Sequence, residues 1–286
     1  MDWDLLRTFE SVARHGSLTA AAQALALSQS TVSRQMTRLE ALAKSPLLVR
    51  TTPLQLTARG EALKASVIPM VDLAQAAQAA LEDSDELQGE VTLATVGELL
   101  RWTLAPRLAA FRKAYPRLRL RILSDNRVRS LAAGEADVSV RLARPERGDL
   151  VAKKLHVERY ALFAAQGLEL GPTVPWLGLT GSLTHIPEQR WVERYFAPRP
   201  AQLLLEDIEA LAMATAGGLG VALLPKRLAP RHPGLVEVPP NALNNKEMPP
   251  IPSREVWWVV HRTKQRLPKV RALIDWLTDQ EAGWQI

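Results

Sequence analysis

The sequence predicts a multidomain α+β chain: a small helical unit, then a long helix, then an alternating α/β region. Three observations predict it. Apolar residues recur at helical spacing, with caps between them, through the first 45 or so residues. An a/d pattern then runs from Leu63 to Leu81. From Gly89 onward, strand-period and helix-period segments alternate, as they do where strands are connected through helices. The length of 286 residues suits two or three structural units, and an apolar fraction of 47% supports a sizeable core.

In the first unit, Leu5, Leu6, Phe9, Val12 and Ala13 mark a helix that Gly16 stops. Ser17 or Thr19 can cap a second helix, "TAAAQAL". After a tight connection, Ser28 can cap a third, which runs to about Leu42. At 100° per residue, Val32, Met36, Leu39, Leu42 and Ala43 share one arc, and Ser30, Ser33, Arg34 and Thr37 cluster opposite. One face reads as core; the other holds hydroxyls, a guanidinium and no acid. "LLVRTTPLQLT" reads as a short hairpin.

Thr57 then caps a helical segment over 58–87, in which Pro69 predicts a kink or a late start. Beyond Gly89, "EVTLATV", "RLRLRIL", "ADVSVRL", "LGVALLP" and "EVWWVVH" read as strands. "ELLRWTLAPRLAAFRKAY", "RVRSLAAG", "DIEALAMATAGG" and a segment through Val270, Leu273, Ile274 and Leu277 read as helices.

Charge divides along the same lines. Residues 28–59 carry five Lys/Arg against one acid, Glu40, and residues 61–87 carry one against six. Lys plus Arg exceeds Asp plus Glu by six overall, which permits an anionic partner without demonstrating one. With no cysteine, disulfides, thiolate metal sites and cysteine nucleophiles are excluded. The five histidines lack ligand spacing, and no GxSxG, HExxH or GxxxxGK[ST] occurs, so nothing supports catalysis or a cofactor. "GGLG" follows a helix and reads as a C-cap and turn, not a phosphate loop. An acidic N-terminus and the lack of a long apolar run predict a cytoplasmic protein with no membrane partner.

Helix, tight turn and helix with a polar outer face is the layout of a helix-turn-helix, whose second helix reads the major groove. Lys44, Arg50 and Arg59 could neutralise phosphates. A solvated three-helix bundle has the same pattern. The a/d seam of Leu63, Val67, Met70, Ala74, Ala77 and Leu81 fits either a dimerisation helix or a helix packed on its own domain.

Read together, these segments resemble the LysR-type transcriptional regulators from end to end. "LLRTFESVARHGSLTAAAQALALSQSTVSRQMTRLE" carries the resemblance first. "LTARGEAL", "GEADVSVRL", "ATAGGLGVALLP" and "VHRTKQRLPKVRALIDWL" follow in the family's order. The resemblance implies a winged helix-turn-helix over 1–58, a linker helix over 59–88 that pairs two chains, and a two-lobed effector domain over 89–286, like a periplasmic binding protein. Lobe I would take 89–162 and 264–286, and lobe II 163–263, with crossings near Phe163 and His261. The implied partners are double-stranded promoter DNA, a small-molecule effector, a second copy in a homodimer, a tetramer of two dimers, and RNA polymerase.

Family contacts to DNA carry over to Ser28, Gln29, Ser30, Thr31, Ser33, Arg34 and Thr37, and to Arg50 at the wing. Lys44 departs from the family's usual Gly, and the wing "TTPLQ" is short and lacks Arg. Effector contacts map to Val96, Gly97, Glu98, Asp125, Asn126 and Arg141 in the first lobe, and to Thr180, Gly181, Ser182 and Glu206 in the second. Glu98 and Asp125 favour a cationic or polar ligand and Arg141 an acid, so the sequence leaves the ligand's charge open. A solute-binding protein with an accessory helical domain and an enzyme on a doubly wound fold are the competing readings.

Overall fold

The structure is a computed structural model. It describes residues 2–49, 51, 54–81, 87–125, 131, 134–145, 148–239, 242–243, 248–279 and 284, without the side chains of 72, 75, 76 and 78–81.

Three helices open the chain: α1 (Trp3–His15), α2 (Leu18–Leu25) and α3 (Gln29–Ala43). The second and third starts are capped by the expected Ser17 and Ser28, and the first by Asp2, which sequence reasoning did not single out. The Asp2 carboxylate accepts from Asp4 N, Ser17 Oγ from Ala20 N and Ser28 Oγ from Thr31 N. Gly16 ends α1 at φ 61°. Lys44 ends α3 at φ 51°, so a lysine holds the left-handed turn that glycine would adopt without strain. Phe9, Val12, Val32, Met36 and Leu39 are buried together. Leu42 is a correction: it is 61% exposed. It sits at the edge of the apolar arc, and Ala43, nearer the centre, packs inward instead.

The hairpin is β1 (Leu48–Val49) against β2 (Gln55–Leu56), paired antiparallel. It runs directly into α4 (Ala58–Leu81), which is continuous through Pro69, so the late start does not occur. Packing of Val67, Ile68 and Val71 on either side of the proline supports the helix where a backbone donor is missing. The last six residues of the 58–87 segment bring it beyond α4: 82–86 lie outside the described residues, and Leu87 precedes a strand. At the junction, Leu47 O accepts from Thr57 N at 3.0 Å. A Cβ on Gly60 would lie 2.2 Å from that same oxygen. Gly60→Ala is therefore expected to destabilise the helical unit by about 1–3 kcal/mol, because the crowded atom is backbone held in a bond. Urea unfolding checks this, and an unchanged midpoint would show that the junction yields.

The α/β region contains two sheets. The first has strand order β4-β3-β5-β12-β6, from β3 (Gly89–Thr95), β4 (Leu118–Ser124), β5 (Val138–Arg141), β6 (Leu150–Glu158) and β12 (Arg254–His261). β3 is parallel to β4 and β5, as alternating units predict, whereas β12 runs antiparallel between β5 and β6. The second sheet has order β10-β7-β11, all antiparallel, from β7 (Tyr160–Ala165), β10 (Ala222–Pro225) and β11 (Leu235–Glu237). A parallel pair, β8 (Leu177–Leu179) and β9 (Leu203–Leu205), joins it through a Trp176–Val221 bridge.

The chain changes sheets at Arg159, close to the expected Phe163, and returns between Glu237 and Arg254, not near His261. β12 thus belongs to the first lobe. The expectation placed it one strand too late because "EVWWVVH" is apolar enough for either sheet. Gly97–Ala114 is helical but broken into α5 (Gly97–Leu99), a π turn (Leu100–Leu104), a 3-10 turn (Ala105–Arg107) and α6 (Leu108–Ala114). Pro106 lacks the donor that a regular helix needs there. Two more helices, α7 (Pro187–Phe196) and α8 (Ile208–Ala216), pack on the second sheet, and α9 (Pro268–Thr278) packs on the first. α8 ends in the predicted "GGLG" turn. "RVRSLAAG" falls mostly outside the described residues.

Candidate DNA-binding face and effector cleft

The polar arc of α3 faces solvent. Ser28, Gln29, Ser30, Arg34 and Thr37 are exposed, and Thr31 and Ser33 are half-buried. Arg50 lies outside the described residues. The arc is ordered from within. Ser28 Oγ lies 2.9 Å from Ser30 Oγ and 2.7 Å from Thr31 Oγ1. Arg34 Nε donates to Ser30 O at 3.3 Å, which lays the side chain along the helix and keeps its terminal nitrogens outward. Thr37 Oγ1 donates to Ser33 O.

The one acid of the basic block, Glu40, lies at the edge of this face and is engaged by the hairpin. Its carboxylate accepts from Leu47 N at 2.8 Å and Leu48 N at 3.2 Å, fixing the hairpin beside α3. Leu54 N donates to Gly16 O from the hairpin's other side. The result is a groove bordered by Ser17, Thr19, Gln29, Ser33, Thr37 and Thr51. Sequence reasoning missed the structural role of Glu40 and the groove position of Thr51, because both depend on how the hairpin docks.

α4 divides between the two readings of its seam. Val67 is buried in the core of the helical unit and Leu63 packs beside it, whereas Met70, Ala74 and Ala77 are exposed, with Leu73 beside them at 59%.

Between the lobes lies a cleft of about 340 Å³ lined by Gly97, Glu98 and Asp125 from the first lobe and Leu183 and Glu206 to Glu209 from the second. Four expected residues line it: Gly97, Glu98, Asp125 and Glu206. Thr180, Gly181 and Ser182 form the turn just before Leu183; a Cβ on Gly181 would meet the Glu206 carboxylate at 2.1 Å. Two expectations are corrected. Val96, half-buried between β3 and α5, packs against the first lobe's core. Arg141 is outside the lining, held at the end of β5 opposite Trp257, where burial lowers its pKa. Asn126 is outside the described residues.

The wall behind Glu98 is a network of buried charges. Glu158, the last residue of β6, pairs with Arg227, which also donates to Thr103 Oγ1 in the first lobe. Glu188 at the start of α7 pairs with Arg254 at 3.3 Å. The Glu98 carboxyl is pushed up to about 7, chiefly by burial and then by Glu158 and Glu188, against the pull of Arg254 and Arg227. Glu158 is also raised, since burial outweighs its partner. No cluster that could hold a metal occurs among the described residues.

Residues 84–282 match the LysR substrate binding domain, and residues 3–61 match the bacterial regulatory helix-turn-helix protein, lysR family. The chain belongs to the LysR family. It is a LysR-type transcriptional regulator, not an enzyme, with a helix-turn-helix DNA-binding domain and an effector-binding domain. It is 32% identical to the regulator PtxR of Pseudomonas aeruginosa, over 79% of this chain and 77% of that one. It is 27% identical to the Mau operon transcriptional activator of Paracoccus denitrificans, over 98% and 96%. Its fold is that of full-length LysR regulators. Superposition gives a TM-score of 0.75 on OxyR from Pseudomonas aeruginosa, at 20% identity over 98% of this chain and 97% of that one. On LysG from Corynebacterium glutamicum with bound effector Arg it gives 0.64, at 22% identity over 96% and 97%. No helix among the described residues is long and apolar enough to cross a membrane.

Proposed function

We propose that this LysR regulator reads promoter DNA with the outer arc of α3 and answers to a small molecule held between its lobes. The observation that carries the first half is the acid-free arc of Ser30, Ser33, Arg34 and Thr37, kept clear because Glu40 is engaged with the hairpin. Short hydroxyls and one guanidinium match base edges in the major groove, and Ser28, Gln29 and Thr31 at the helix start suit phosphate oxygens. Residues 1–58 would act as the DNA-binding unit and 59–88 as the linker. The α/β remainder, with lobes split at Arg159 and in 238–253, would be the effector unit. The chain would work in the cytoplasm with no cofactor.

The exposed strip of Met70, Leu73, Ala74 and Ala77 supports pairing of two chains through α4. A tetramer of two dimers and contact with RNA polymerase follow from the family alone.

The test is fluorescence anisotropy on the DNA just upstream of this gene. A site-specific complex is expected, with affinity falling steeply as salt rises. Arg34→Ala is expected to weaken it by about 1–3 kcal/mol and to relax preference at one base pair, as for loss of a bidentate contact to guanine. Unchanged affinity and preference would remove Arg34 from the reading surface. Absence of any specific complex, with a metabolite still raising the melting temperature, would favour a solute-binding protein instead.

A further inference from the structure

The cleft's lining decides what the sequence left open. Five acidic residues line it, Glu98, Asp125, Glu206, Asp207 and Glu209, against one basic residue, Arg101. Arg101 is already answered by Glu209 at 3.7 Å, and His232 Nε2 lies 2.9 Å from the same carboxylate. Arg141, the residue that argued for an acidic ligand, is not part of the lining.

A second observation is independent of this count. Glu98 is largely enclosed and lines the cavity, yet its carboxylate forms no hydrogen bond or ion pair among the described residues. Asp207 differs: its carboxylate caps α8 through Ala210 N at 2.8 Å. Behind Glu98, Glu158 and Glu188 are matched by Arg227 and Arg254, so those guanidinium groups are committed to the wall. Trp102, Leu183 and Ile208 supply apolar surface, and the volume suits a small molecule.

We infer that the interlobe cleft takes a small organic cation, an amine or guanidinium on a short aliphatic body, with its charge against Glu98. The inference rests on the effector-cleft reading and names the ligand class for that site. A cation there stabilises the ionised carboxylate, so binding expels a proton near neutral pH. Affinity therefore rises with pH through the range in which Glu98 titrates. The groups facing Glu98 from the packed elements are Glu158, Tyr160, Glu188, Arg227 and Arg254.

The experiment uses the full chain with agmatine and putrescine as cationic probes, and succinate and benzoate as anionic ones, at matched ionic strength. Calorimetry and thermal shift are run at pH 6 and pH 8. At least one cation is expected to bind, about tenfold more tightly at pH 8. Glu98→Gln should weaken it about tenfold at pH 8 and flatten the pH dependence, and Glu206→Gln should weaken it without flattening. A folding loss is read separately from the ligand-free melting curve. Binding of the anions alone, of no probe, or of cations unaffected by Glu98→Gln overturns the inference. Anion binding that is lost in Ile208→Trp would overturn it while leaving the effector cleft standing. A cation that binds through Glu98 yet leaves the promoter complex unchanged would instead fail the regulatory reading.

Discussion

Arg227→Met is expected to destabilise the α/β region by about 3–5 kcal/mol at neutral pH, the typical result of leaving a buried charge without its partner. The Arg227 and Glu158 side chains are 7% and 6% exposed. Removing the guanidinium also strips Thr103 of its donor across the lobes. Glu158 is already raised by burial with Arg227 present, and rises further without it. A carboxyl with a raised folded-state pKa contributes stability in full below its unfolded value, near 4.3, and loses it as pH climbs through the folded one. The deficit of the variant should therefore be largest at pH 8 and shrink toward pH 5. Urea unfolding followed by tryptophan fluorescence reads it, and Glu158→Leu combined with Arg227→Met should recover most of the loss. A deficit under about 1 kcal/mol, or one flat with pH, would mean that water reaches the pair.

The second large effect has the opposite sign. Glu98→Gln is expected to stabilise the ligand-free protein at pH 8 by about 3 kcal/mol, the free-energy equivalent of a carboxyl moved from 4.5 to about 7. At pH 4.5 wild type and variant should coincide, because Glu98 is then neutral in the folded state. The gap should open between pH 5 and 8 and then level. Comparing the two proteins at each pH cancels the titration of groups that are not coupled to Glu98. A constant offset would show that Glu98 ionises normally. The wild-type glutamate is thus a stability cost located in the cleft, the usual signature of a group kept for binding.

Much of this was readable from the sequence, for identifiable reasons. The helical unit was legible because its caps are local: Ser and Gly act within four residues of where they stand. The hairpin and the "GGLG" turn were legible on the same grounds. Strand β6 was missed. Its apolar residues do not alternate, since β12 covers one edge and bulges between Val256 and Trp257. β7 follows after a single residue with no glycine or proline to announce it. β12 was recognised as a strand but assigned to the wrong lobe, because local pattern gives no information on which sheet a returning strand joins.

In the DNA-binding face, residue type and helical phase gave the outward arc. They misplaced Leu42, which sits where the arc ends and the neighbouring helices no longer cover it. In the cleft, the sequence pointed to Gly97, Glu98, Asp125 and Glu206, which line the cavity. Val96 and Arg141 lie outside that lining, since sequence order does not say which side of a strand end faces the cavity.

Glu40 and the apolar side of α3 have a consequence for how such a regulator acquires new targets. The residues that hold α3 and the hairpin in place, Val32, Met36, Leu39 and Glu40, are distinct from those that face outward, Ser30, Ser33, Arg34 and Thr37. Substitutions on the outward set cost the fold little, so promoter preference can drift by single steps while the frame stays fixed. The hairpin has no such latitude. It shares the Glu40 anchor with the helix, so a change in its angle would pull on the element that carries the outward-facing set.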